Sequence, residues 1–102
     1  MKIWLDDERE PPDKSWTWAK NSYEAFSAFF ENPEKIEEIS FDHDLGKDDT
    51  SIPVATYLEK LAYFGIYAPI KWVIHSMNPV GRKNLQAILE RADEYWEKKK
   101  DG

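Results

Sequence analysis

Residues 40–46 read SFDHDLG, two aspartates on either side of a histidine directly after an apolar, strand-like run. A segment that is apolar along its length and charged at one end reads as a buried strand whose end reaches the surface. Working outward, the same change occurs twice more. KIWLDDERE (2–10) stops abruptly at Asp6 and Asp7, and IKWVIHSMNPVGRKNL (70–85) ends a strand at His75 and Ser76 before turning into helical sequence. Three strand ends that lie side by side make a site.

The remaining pattern supports such a sheet. Strands are expected over 3–5, 16–20, 36–41 and 70–74. Trp16 and Trp18 share one face of the second strand, and Pro11-Pro12 break the chain before it. Tyr23, Phe26, Phe29 and Phe30 fall at helical spacing over 22–31, with Asn21 and Glu24 placed as a capping box. Val54, Tyr57, Leu58 and Leu61 mark a second helix closed near Gly65. Asn78 and Pro79 open a third, whose apolar face runs through Leu85, Ile88, Leu89, Ala92 and Trp96. The order β, β, α, β, α, β, α predicts one α/β domain over 1–102, a mainly parallel sheet with helices on both faces. Ligands of such sheets bind beyond the carboxyl ends of the strands, where all three polar stretches sit.

Composition narrows the function classes. At 102 residues the chain is one domain, and its hydrophobic fraction of 41% is enough for a core. A net charge of −6 argues against nucleic acid and anionic membranes as partners. The chain has no cysteine, no signal-peptide pattern and no apolar run near the roughly 18 residues of a membrane span, so a soluble cytoplasmic protein is expected. Gly-rich phosphate loops, HExxH, GxSxG and EF-hand patterns are absent.

Asp6, Asp7, Asp42 and Asp44 would repel one another if their strands are neighbours, and a divalent cation relieves that repulsion. Oxygen ligands suit Mg²⁺ or Mn²⁺, while the two histidines keep a transition metal open. Any one of these aspartates taken singly reads more readily as a turn cap or a solvent-facing residue. The third helix carries Arg82 and Lys83 in its first turn, unfavourable for the helix alone and favourable beside an anion. Ser76, Asn78, Gly81 and Arg82 are therefore candidate phosphate contacts, with Asn78 also a plain N-cap. Arg9 either binds phosphate or neutralises Asp6 or Asp7. His43 and His75 are candidate proton carriers or structural imidazoles, and Asp42 is a candidate metal ligand.

LDDEREPP (5–12), SFDHDLG (40–46) and HSMNPVGRKNL (75–85), in that order, resemble the cyclic-phosphate processing receiver-like domain, a set of small bacterial and phage proteins. The likeness spans residue 3 to about 90. More distantly the chain is similar to response-regulator receivers. The resemblance implies a truncated receiver, or flavodoxin-like, fold: a small three-layer sandwich around a four-stranded sheet of order 2-1-3-4. It also implies Asp6 and Asp7 as the metal-binding pair, Asp42 as phosphoryl acceptor, Ser76 as the hydroxyl residue after strand four and the Asp44 carbonyl as a further metal ligand. The segment DEREPPDKS (7–15) is too short for the receiver's first helix. The fifth strand and its lysine are missing, and Arg82 is the expected substitute for that lysine.

Two readings follow. One is a metal-dependent phosphoesterase or cyclic phosphodiesterase that binds and hydrolyses a small cyclic-phosphate or nucleotide-phosphate ligand. The other is a non-catalytic receiver-like binding or regulatory module, including a phage protein that docks on a host protein through Trp16 and Trp18.

Overall fold

Backbone hydrogen bonding sorts the chain into four short parallel strands and three helices. The computed structural model describes residues 1–101. The elements are β1 (Lys2–Leu5), β2 (Trp16–Ala19), α1 (Ser22–Glu31), β3 (Glu38–Phe41), α2 (Ile52–Phe64), β4 (Lys71–Ile74) and α3 (Pro79–Asp101). The sheet order is β2-β1-β3-β4, and every neighbouring pair is parallel. β3 begins two residues later than its apolar pattern implies. Ile36 is buried outside the strand, its N–H donating to the Tyr67 hydroxyl at 3.0 Å.

Local chemistry sets the helix ends. The Asn21 side chain accepts from the Glu24 N–H, and the Glu24 carboxylate accepts in return from the Lys20 N–H. Gly65 ends α2 in the left-handed region (φ 67°), where its N–H reaches the Ala62 and Leu61 carbonyls. Asn78 caps α3 by accepting from the N–H groups of Val80 and Gly81.

The crossovers explain which face of the sheet is dry. β2-α1-β3 and β3-α2-β4 step in the same direction across the sheet, so right-handed connections put both helices on one face. α3 joins them, with Leu85, Leu89, Ala92 and Trp96 in the same core cluster. The strand residues beneath, Ile3, Leu5, Ala19, Ile39 and Phe41, are at most 2% exposed. By the standard area scale, burying one such Leu, Ile or Phe side chain contributes about 1.5–3 kcal/mol.

The step from β1 to β2 runs the other way, and its connection, residues 6–15, lies over the opposite face. The third layer of the expected sandwich is thus this loop and not a helix. The correction has a simple cause: ten residues cannot make a helix and two turns, but they can receive the indole N–H groups of that face. Trp4 Nε1 donates to the Arg9 carbonyl at 2.9 Å, and Trp18 Nε1 donates to the Asp6 carbonyl at 2.7 Å. Lys2 and Lys20 place their ammonium groups over the rings of Trp16 and Trp18, 4.4 and 4.5 Å from the centroids. Among the described residues no helix is long and apolar enough to cross a membrane.

Candidate functional site

Register brings the three strand ends to one height. Leu5 pairs with Phe41 and Phe41 with Ile74, so the next residues, Asp6, Asp42 and His75, emerge together. The ladder continues one step further: the Asp42 N–H donates to the Leu5 carbonyl and the His75 N–H to the Phe41 carbonyl, both at 2.9 Å. One carboxylate oxygen each from Asp6 and Asp42 and one ring nitrogen of His75 lie within 4.8 Å of one another.

Asp6 is fully buried and saturated. Its Oδ1 accepts from the N–H groups of Glu8 and Arg9, both at 2.9 Å, which also folds the turn after β1. Its Oδ2 accepts from Arg9 Nε at 3.2 Å and from His75 Nε2 at 3.0 Å. Burial alone would raise the Asp6 carboxyl, but the Arg9 and Glu8 N–H groups, His75 and the Arg9 guanidinium outweigh it and hold it below its usual range. With four donors on four lone pairs, Asp6 orients its neighbours more than it waits for a ligand.

His75 is committed on both nitrogens. Nε2 meets Asp6, and Nδ1 lies 2.7 Å from the Ser40 hydroxyl. Its ring stacks on Trp4 with centroids 3.9 Å apart and 4° between planes. Burial pushes the imidazole down in spite of the Asp6 contact, which favours the neutral ring. Ser40, 3% exposed, is a site residue that pattern reading missed.

Asp42 has room that Asp6 lacks. Its Oδ1 accepts from the His43 N–H, while Oδ2 has only the Arg9 guanidinium at 3.8 Å. Burial, and then the charge of Asp6, push its carboxyl up. Arg9 spans the cluster, its Nη2 also donating to the His75 carbonyl at 3.3 Å. Asp7 makes no hydrogen bond through its carboxylate among the described residues. It stands against the loop after β3, where a Cβ added to Gly46 (φ 77°) would lie 3.0 Å from Asp7 Oδ2.

A second group adjoins through His43. Its Nδ1 is 3.0 Å from Asp44 Oδ1, and Asn78 Nδ2 donates to Asp44 Oδ2 at 3.1 Å. These two bonds, Asn78 first, hold the Asp44 carboxyl below its usual value. Buried Ser76 accepts from the Asn78 N–H at 3.1 Å.

The family model of the cyclic-phosphate processing receiver domain matches residues 1–91, a stretch that contains every residue of both groups. The chain belongs to that family. Neither the curated proteins nor the solved structures gave a match. As a receiver domain it departs from expectation at the start of α3. The Val80 and Gly81 N–H groups are used by Asn78, and Arg82 Nη1 donates at 3.2 Å to the carbonyls of Ile74 and Ser76. Arg82 thus covers the outer edge of β4, where carbonyls lack a strand partner. The basic side chain that does reach Asp42 is Arg9.

Gly81 is spoken for in the same way. A Cβ there would lie 2.3 Å from His43 Cγ, so the missing side chain makes room for the imidazole. Gly81→Ala is expected to lose about 1–3 kcal/mol through this overlap, despite the better helix propensity of Ala. In a His43→Ala background the same change should turn neutral or stabilise by about 1 kcal/mol. Urea denaturation of the four proteins of this cycle measures the coupling.

Proposed function

We propose that this receiver domain binds a small cyclic-phosphate ester in a cation-dependent manner at the carboxyl ends of β1, β3 and β4, and hydrolyses it to the acyclic monoester. The observation that carries this reading is the uneven use of the carboxylates. Asp6 is saturated, whereas Asp42 keeps an under-used oxygen in a buried, negatively charged setting and the Asp7 carboxylate has no hydrogen-bond partner among the described residues. Free hard oxygens beside a buried like charge fit Mg²⁺ or Mn²⁺, with Asp42 and Asp7 as the holding residues and Asp6 behind them. When bound, such an ion would polarise a phosphoryl oxygen.

The chain's own groups supply the remainder. Arg9, with its side chain 49% exposed, offers N–H donors to a phosphate anion without losing its bond to Asp6. His43 donates Nδ1–H to Asp44, which leaves Nε2 as an acceptor for the proton of an attacking water. Water adds to phosphorus, one ring P–O bond breaks, and the departing oxygen takes up a proton.

Calorimetric titration of Arg9→Ala and Arg82→Ala with adenosine 2′,3′-cyclic phosphate and Mg²⁺ tests the assignment. Arg9→Ala is expected to weaken binding at least ten-fold, the loss of about 1.4 kcal/mol or more typical of a charged hydrogen bond. Arg82→Ala should bind as wild type does. The reverse result would return the anion to the start of α3.

A further inference from the structure

Ser40 sits in β3 between Ile39 and Phe41, in a central strand of a parallel sheet where apolar residues are the norm. It is nonetheless polar, and only 3% exposed. A buried hydroxyl at such a position must satisfy itself, and its partner is His75 Nδ1 at 2.7 Å. The far nitrogen of that ring meets Asp6 Oδ2 at 3.0 Å, and Trp4 stacks flat on its plane.

The proton positions follow from the chemistry of the partners. An ionised carboxylate only accepts, so Nε2 carries a proton and donates it to Asp6. In a neutral ring Nδ1 is then a lone pair, and the Ser40 O–H must be the donor. The result is a buried chain, Ser40 to His75 to Asp6, with Arg9 on the same Asp6 oxygen and reaching on toward Asp42.

We propose that Ser40 is a positioning residue of the site: through His75 it fixes the Asp6 carboxylate, and with it the placement of Arg9 beside Asp42. Trp4 holds the plane of the imidazole, but stacking does not fix where in that plane the ring lies, and a ring flipped 180° about Cβ–Cγ stacks as well as the original. Ser40 is the group that pins the ring at its inner nitrogen. Without it Nδ1 is a buried acceptor with no donor, and the ring gains by turning or shifting away from Asp6. Asp6 then loses one of four donors, and Arg9 loses the fixed carboxylate that aims it. Removing an outer support of this kind typically lowers affinity ten- to hundred-fold in metal sites, although it touches neither ion nor substrate. The effect on ligand affinity rests on the function proposed above, whereas the pinning of His75 does not.

Two readouts separate these claims. The first is the ring proton of His75, observed by NMR on histidine-labelled protein as a slowly exchanging Nε2–H. The second is affinity for Mg²⁺ with adenosine 2′,3′-cyclic phosphate, measured by calorimetry. The variants are Ser40→Ala and the isosteric pair Ser40→Thr and Ser40→Val, which differ by a hydroxyl against a methyl. If Ser40→Ala fails to fold, the Thr and Val proteins carry the comparison. The expected result is a protected ring proton and wild-type affinity in Ser40→Thr. Ser40→Val and Ser40→Ala should show fast exchange and an affinity about ten-fold lower. Equal ring-proton exchange in the Thr and Val proteins would overturn the positioning role. If the wild type binds no probe, the function proposed above fails, and the ring proton alone decides for or against Ser40.

Discussion

Asp42→Asn is expected to abolish cation-dependent phosphate binding and, in the same protein, to raise the melting temperature. The two effects have one cause. Asp42 is 14% exposed, sits beside the buried charge of Asp6, and has its carboxyl pushed up by burial first and by Asp6 second. A carboxyl whose pKa is higher in the folded than in the unfolded chain costs stability once it ionises. The penalty is absent well below 3.8, grows as pH rises through the folded pKa and is constant above it. Asparagine keeps the oxygen that accepts the His43 N–H and removes the charge. The gain at neutral pH should be on the order of 1 kcal/mol, or about 4–8 °C in a domain of this size. Thermal melts at pH 7 and pH 3 check the sign, because the difference between mutant and wild type should vanish at the lower pH. Calorimetry with Mg²⁺ and Mn²⁺ should show binding weakened at least a hundred-fold. A mutant that is less stable and still binds would mean that Asp42 is structural.

Asp6→Ala should behave in the opposite way. Asp6 is buried, and its two oxygens accept from the Glu8 and Arg9 N–H groups, the Arg9 guanidinium and His75. Truncation leaves these donors without an acceptor and a guanidinium without its counter-charge. The expected loss is about 3–5 kcal/mol, the cost of breaking a buried pair by removing one partner. For a marginally stable domain that is a large share of the total. The wild type carries the matching pH signature. The folded Asp6 pKa is depressed, so its stabilising contribution is present above 3.8 and lost as pH falls through the folded value. Urea denaturation at pH 7 measures the first effect. A series between pH 5 and pH 2, in which wild type loses stability that Asp6→Ala never had, measures the second.

The opposite signs expected for two aspartates of one cluster show what sequence reading reached and where it stopped. The three strand ends and their parallel pairing were legible, because apolar runs closed by charge and the alternation of strands and helices encode them, whereas the order 2-1-3-4 came from the family resemblance. The meeting of Asp6, Asp42 and His75 was legible too, since it follows from register. Which aspartate is saturated was not, because that depends on the turn through Glu8 and Arg9 and on a histidine 69 residues away. His75 and Ser76, adjacent in sequence, go to different surroundings. His75 lies against Trp4, while Ser76 is buried beside Asn78.

Arg82 has protein partners that its sequence position did not show. A cation in the first turn of a helix suggests an anion there, but the open edge of β4 offers it carbonyl acceptors instead. Gly81 suggested backbone approach to a ligand, and its space went to His43. Ser40 left a faint signal, a polar residue inside a central strand, which becomes meaningful only once His75 is known to lie opposite. The loop over the second face was half legible. The segment was visibly too short for a helix, yet nothing local showed that its carbonyls would receive two indole N–H groups.

The central claim is that the Asp42 and Asp7 oxygens hold a cation against which a cyclic phosphate is bound and opened. It is tested most directly by phosphorus NMR of adenosine 2′,3′-cyclic phosphate incubated with wild type and Asp42→Asn, each with Mg²⁺, with Mn²⁺ and with chelator. The account predicts that the cyclic signal gives way to an acyclic monoester only with wild type and metal. A cyclic phosphate that stays intact and unshifted in every sample would contradict it.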